Sequence, residues 1–180
     1  MRSQLRRARE AFVASLAPAA RAAALAAIDR RLAPLLTRER AIAGYVPHRG
    51  EADVLPFLLR AFHLGRVVAL PHVVGGSDTM RFLPWHPDAP LMPGLAGIPQ
   101  PDGMGRELVP AIVLAPLVGF DRAGRRLGQG GGFYDRWFAA HPDAMRIGIA
   151  WSIQEVAALT SERWDIPLHA IVTEKEWIEP

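Results

Sequence analysis

Apolar residues recur at helical spacing from the start of the chain. Leu5, Phe12 and Leu16 share one face, and Leu25, Ile28, Leu32, Leu35 and Leu36 form a second stripe. The spacing predicts helices over 2–16 and 19–36, with Pro18 at the junction because proline breaks a helix interior. The arginines at 2, 6, 7 and 9 would then form a solvated face. Shorter apolar runs follow. They predict strands over 41–46, 66–70 (ending at Pro71), 79–84, 111–115, 146–151 and a last one over 170–173. Between them, Leu55, Leu58, Leu59 and Phe62 predict a helix over 51–63, and helices are also predicted over 134–140 and 153–159. Residues 84–101 hold too much proline and glycine for a regular element. Strands alternating with helices predict a three-layer α/β domain with a mostly parallel sheet, a single domain over 1–180.

Composition narrows the class. Half of the 180 residues are hydrophobic and only 22% are charged, which excludes a disordered chain. No apolar run approaches the roughly 20 residues of a membrane span. The N-terminus is basic without the apolar core of an export signal, so the expected location is cytoplasmic with no membrane partner. With no cysteine, disulfides and thiolate metal sites are excluded. The net charge is only +3, and all but one of the 21 basic residues are arginines scattered among acids, which argues against nucleic-acid binding. Six histidines without an H-x-x-x-H pair argue against zinc, and no G-x-S-x-G nucleophile elbow is present.

The chemistry concentrates between Gly124 and Arg136. Glycines at 128, 130, 131 and 132 let backbone N–H groups approach a ligand closely, and the loop opens into a predicted helix whose N-terminus favours anions. Arg125 and Arg126 enter the loop; Tyr134, Asp135 and Arg136 leave it. Such a loop suits a polyphosphate with a metal ion. Neither G-x-x-x-x-G-K-[ST] nor G-x-G-x-x-G is present, since the only lysine is Lys175 and Phe133 stands where the last glycine belongs. Elsewhere, Glu51 in a predicted first helical turn would suit the helix dipole, and Asp165 before a proline segment would suit a turn.

The pattern Gly124-x-Arg126-x-Gly128-x-Gly130-x-Gly132-x-Tyr134-Asp135, preceded by Pro116 and Phe120-Asp121, resembles the signature of the 5-formyltetrahydrofolate cyclo-ligase family. Arg2-x-x-Leu5-Arg6 is similar to that family's Lys-x-x-Leu-Arg, with arginine for lysine. Gly97-Ile98-Pro99-Gln100-Pro101 is similar to its Gly-Ile-x-Glu-Pro, with Gln100 for glutamate. The resemblance implies the Rossmann-like sheet shared with sugar-phosphate isomerases and CoA transferases. It further implies ATP- and magnesium-dependent cyclisation of 5-formyltetrahydrofolate to 5,10-methenyltetrahydrofolate, through a phosphorylated formyl group, by a monomer.

Carried over residue by residue, the resemblance implies catalytic roles for Arg126, Tyr134 and Asp135. ATP would be held by Arg2, Arg6, Arg126, Leu127, Gly128, Gln129, Gly130, Gly131, Gly132, Phe133 and Tyr134. Folate would be held by Arg6, Val46, Glu51 and the stretch from Gln129 to Phe133, a carboxylate such as Glu51 suiting the N–H donors of a pterin. Magnesium would sit on Asp135 and Asp165. Met80 and Phe82 are expected near the ligand, and Trp85 could stack on a planar ring. Gly131 occupies a position that is lysine in some relatives, and Phe133 one that is often tyrosine. Rival readings are a non-catalytic paralogue that binds folate or nucleotide, a sugar-phosphate isomerase and an RNA-binding protein.

Overall fold

A computed structural model describes residues 1–37 and 41–180. Helices α1 (Arg2–Ser15) and α2 (Pro18–Leu32) open the chain, and a 3-10 turn extends α2 over Ala33–Thr37. Strand β1 (Ile42–Ala43) is followed by α3 (Leu55–His63), then β2 (Val68–Val73) and β3 (Met80–Pro84). A small hairpin joins β4 (Met92–Pro93) to β5 (Pro99–Gln100). Next come β6 (Ile112–Pro116) and a second hairpin of β7 (Gly119–Phe120) with β8 (Arg126–Leu127). Helix α4 (Phe133–Ala140), β9 (Met145–Ile149), β10 (Ala170–Val172) and β11 (Trp177–Ile178) complete the fold.

The main sheet has seven strands in the order β11-β10-β9-β6-β1-β2-β3. The five inner strands run parallel, and the two edge strands are antiparallel to their neighbours. Both faces are covered, so the strands read as unbroken apolar runs. Ile112 and Leu114 point into one core with Ile28, Leu32, Phe57 and Leu58 of α2 and α3. Val113 and Ala115, one residue out of phase, point into the other core with Trp137 and Phe138 of α4. Strand order reverses between β1 and β6, and ligands of such sheets bind in the crevice beyond the strand ends at that point.

The expected α/β architecture is present, and several elements differ in extent. Helix α3 starts at Leu55, not at 51: Pro56 sits in its first turn and Asp53 Oδ1 accepts the Leu55 N–H at 2.9 Å. Glu51 therefore precedes the helix, and the dipole explanation for it fails. Strand β1 spans only two residues of the expected six-residue run. Strand β2 runs past Pro71, which is tolerated because the β1 ladder has already ended and only β3 remains alongside. The expected helix over 153–159 is a single 3-10 turn, Ser152–Gln154. Buried side chains take over its backbone groups: Gln154 Oε1 accepts the Trp151 N–H, and Asp121 Oδ2 accepts that of Leu159. Beyond β10 the chain turns back on the Thr173 hydroxyl to form β11, so 170–173 is not the last strand.

Candidate active site

The β7–β8 hairpin aims the glycine-rich loop. Asp121, 1% exposed, accepts N–H bonds from Ala123 and Arg125 at 3.0 and 3.1 Å, closing the tight turn that turns the chain into β8. This explains the Phe120-Asp121 pair ahead of the loop. Arg125 is spent on the same scaffold: it pairs with Asp121 and donates to the Leu159 carbonyl at 2.7 Å. It does not enter the cleft.

Arg126 does. Its side chain is 3% exposed, donates to Asp135 Oδ1 at 2.5 Å and lies 5.5 and 5.4 Å from the ring centres of Tyr134 and Phe138. Its Nε is buried and has no partner among the described residues. A guanidinium so held presents a preorganised planar fork that suits carboxylate or phosphate oxygens. The loop itself turns on Gly130 and Gly132, with φ of 107° and 65°, a region where a Cβ is strained. Gly128 differs: its φ is not positive and a Cβ there would meet nothing within 4 Å. The fold gives no reason for glycine at 128, which supports a ligand passing close to its backbone.

Helix α1 holds the loop from the other side. Arg2 Nε donates to the Gly128 carbonyl and Arg6 Nη2 to that of Gln129, both at 3.1 Å. One helical turn separates the two arginines, so they lie on one face. Arg6 lines the cleft, and its Nε is buried with no partner among the described residues. Arg2 is exposed at the cleft's edge rather than among its lining.

The cleft has a volume of about 450 Å³ and runs from this loop to the turn after β1. Val46 and Glu51 line its far end. Glu51 Oε2 accepts the His48 N–H at 3.0 Å, and Oε1 accepts Gln129 Nε2 at 3.1 Å, so the loop and the turn touch. Burial pushes the Glu51 carboxyl above its ordinary range; the His48 N–H, the Arg9 charge and Gln129 hold it down. Burial, with the nearby Glu51 charge, also pushes the Tyr134 hydroxyl well up, which keeps it a neutral phenol.

Of the remaining expected residues, Gly131, Gly132, Phe133 and Met80 line the cleft; Leu127 and Gly130 belong to the loop without lining it. Phe82 sits in the core, edge-on to Trp137 with ring centres 4.9 Å apart, and Trp85 packs against the opposite core, so neither is a cleft residue. Gln100 lines the cleft as a clamp: its Oε1 accepts the Val73 N–H at 3.0 Å and its Nε2 donates to the Val73 carbonyl at 3.2 Å. A glutamate could make only the first of these bonds.

For a metal, Asp135 Oδ1 takes both the Arg126 bond and the Ile166 N–H at 3.3 Å, and Asp165 Oδ2 accepts the Glu162 N–H at 2.8 Å. Each carboxylate keeps one oxygen free of protein hydrogen bonds among the described residues, and the Ile166 contact brings the Asp165 segment against Asp135. No group of three metal-ligating side chains exists among the described residues. Two carboxylates fit magnesium completed by phosphate oxygens and water better than a fully protein-built site.

Sequence reasoning missed Arg9. Read as solvent-facing, it is 1% exposed and reaches the carbonyls of His48, Arg49 and Leu117. The signal was available, since 9 shares the helical face of Leu5, Phe12 and Leu16.

The sequence model of the 5-formyltetrahydrofolate cyclo-ligase family matches residues 1–174. Over 153 residues the chain is 35% identical to the 5-formyltetrahydrofolate cyclo-ligase of Escherichia coli K12, covering 80% of this chain and 84% of the relative. The Mycolicibacterium smegmatis protein of the same name is 29% identical over 187 residues, covering 98% and 95%. The NMR structure of Aquifex aeolicus 5,10-methenyltetrahydrofolate synthetase superposes with a TM-score of 0.80 at 27% identity, covering 99% of this chain and 92% of that one.

Proposed function

The chain belongs to the 5-formyltetrahydrofolate cyclo-ligase family, a family of enzymes, and from that premise we propose an ATP-dependent cyclisation in the cleft between the glycine loop and the β1–α3 turn. The reaction converts 5-formyltetrahydrofolate to 5,10-methenyltetrahydrofolate and releases ADP and phosphate. The observation that carries the reading is the meeting of the glycine-rich loop and a buried carboxylate in one cleft, joined by the Gln129–Glu51 bond.

The formyl oxygen is a poor leaving group and needs activation. It attacks the γ-phosphorus of ATP, the bond to ADP breaks, and the formyl carbon becomes the electrophilic centre of an iminium phosphate. N10 then attacks that carbon, loses its proton, and phosphate departs with the former formyl oxygen. No covalent bond to the protein is needed, so the protein aligns the reactants and neutralises charge. Arg126 and the loop N–H groups between Gly128 and Gly132 take the phosphates, assisted by Arg6 and Arg2. The neutral Tyr134 hydroxyl donates within the same site, and Glu51 accepts from pterin N–H groups beside Val46. Asp135 and Asp165 would hold magnesium, which supplies charge neutralisation at the phosphates when bound.

The test is direct. Purified protein is mixed with 5-formyltetrahydrofolate and MgATP while the near-ultraviolet band of methenyltetrahydrofolate is followed, with ATP omitted or magnesium chelated as controls. A rise that needs both supports the reading. A flat trace from folded protein rejects it in favour of a binding-only paralogue.

A further inference from the structure

Arg9 has no role in the chemistry above, yet it is the most heavily committed arginine near the cleft. Arginine is almost never fully buried unless its donors are matched. Here Nε and Nη2 both donate to the Arg49 carbonyl, at 3.1 and 2.9 Å, and Nη2 also reaches that of His48 at 3.4 Å. Nη1 donates to the Leu117 carbonyl, just past β6, at 3.2 Å and stands 3.6 Å from Glu51 Oε1. Arg49, whose carbonyl takes two of these bonds, has a left-handed φ of 46°, a conformation that costs a non-glycine residue. One guanidinium thus grips the strained residue of the turn, the end of the neighbouring strand and the carboxylate the turn carries.

We propose that Arg9 is a positioning residue for folate, which fixes the turn from His48 to Glu51 by its carbonyls and aims the Glu51 carboxylate into the cleft. The proposal rests on Glu51 being the pterin acceptor. The charged and titratable groups around Glu51 are Arg9 and Arg6 of α1, Tyr45 after β1, His48 of its own turn and Tyr134 of α4, with Gln129 of the loop as a neutral partner. Among them Arg9 supplies the largest opposing charge to the burial that favours protonated Glu51. Without Arg9 the carboxyl moves up further, so a falling pH protonates it sooner and removes a pterin acceptor.

The experiment titrates 5-formyltetrahydrofolate and a non-hydrolysable ATP analogue separately, at about pH 8 and about pH 6, into wild type, Arg9→Met, Arg9→Lys, Glu51→Gln and the Arg9→Met/Glu51→Gln double variant. Arg9→Met is expected to weaken folate binding about tenfold at the higher pH and more at the lower, with the analogue's affinity within about twofold. Arg9→Lys keeps a cation beside Glu51 but cannot span the carbonyls, so it loses folate affinity with the wild-type pH response. The double variant loses the extra pH response. Equal weakening of both ligands, or an unchanged pH response in Arg9→Met, overturns the proposal. Should Arg9→Met not fold, Arg9→Lys decides: unaltered folate affinity overturns it. Glu51→Gln separates the two readings. If that variant binds folate normally, the pterin assignment itself falls; if it binds weakly while both Arg9 variants bind normally, only the positioning role falls.

Discussion

Replacing Gly128 with alanine should push stability and activity in opposite directions. A Cβ at 128 meets nothing within 4 Å and the backbone there needs no positive φ, so the native state accepts alanine without strain. The unfolded chain loses freedom, which stabilises the fold by about 0.4–1 kcal/mol. For a domain of this size that corresponds to a rise in Tm of roughly 1–4 °C. The same open space is where the proposed phosphates must come, because Gly128 lines the cleft. A methyl group there holds the ligand off the backbone and removes one charge-assisted N–H bond, a loss of about 1.5–3 kcal/mol. In kcat/KM for ATP this is roughly ten- to a hundredfold. Thermal melts and the methenyltetrahydrofolate absorbance assay, run with varied ATP, measure both effects on one preparation. Gly132→Ala is the control: its φ is +65° and the Cβ would lie 2.7 Å from Arg136 Nη1, so Tm should fall. A Gly128→Ala variant with unchanged kinetics in ATP would refute the close approach at 128, and one with a lowered Tm would refute the strain-free placement.

Asp135→Asn keeps an acceptor for Arg126 and the Ile166 N–H while deleting the charge; kcat should fall about 10²–10³-fold, Tm should fall too because the buried Arg126 loses its counter-charge, and near-normal turnover of the folded variant would remove Asp135 from the proposed metal site. Glu51→Gln should raise KM for 5-formyltetrahydrofolate about tenfold and leave KM for ATP nearly alone, as substrate-variation kinetics will show. Gln100→Glu deletes the donor to the Val73 carbonyl and sets a carboxylate against that oxygen, so the β4–β5 hairpin should sit less firmly over the cleft. The expected result is a few-fold higher KM for folate without change for ATP, and an equal rise for both substrates would place the clamp's effect elsewhere.

Features set by side-chain spacing were legible. The glycine loop and Glu51 line one cleft, because a parallel sheet gathers the segments after its strands at one edge. Asp165, expected in the same crevice, does not line it and reaches the site only through the Ile166 contact with Asp135. Strand direction was not legible: β3 and β11 have the same apolar periodicity whether they run parallel or antiparallel, and only the short turns before them decide. The start of α3 is set not by the charge of Glu51 but by Asp53, which accepts the Leu55 N–H, and by Pro56 in the first turn. Arg9 was misread because charge outranked phase. On the buried face of α1, a guanidinium that meets three carbonyls replaces an apolar side chain.

The hydrogen bond between Gln129 and Glu51 has a thermodynamic side. Gln129 belongs to the loop proposed for the nucleotide, and Glu51 to the turn proposed for the pterin. A ligand group that takes either partner out of this bond frees the other for a second ligand. Linkage makes that influence equal in both directions, whichever substrate arrives first. The two halves of the cleft therefore share one free-energy term, bounded by a hydrogen bond to a charged group at about 1.5–3 kcal/mol.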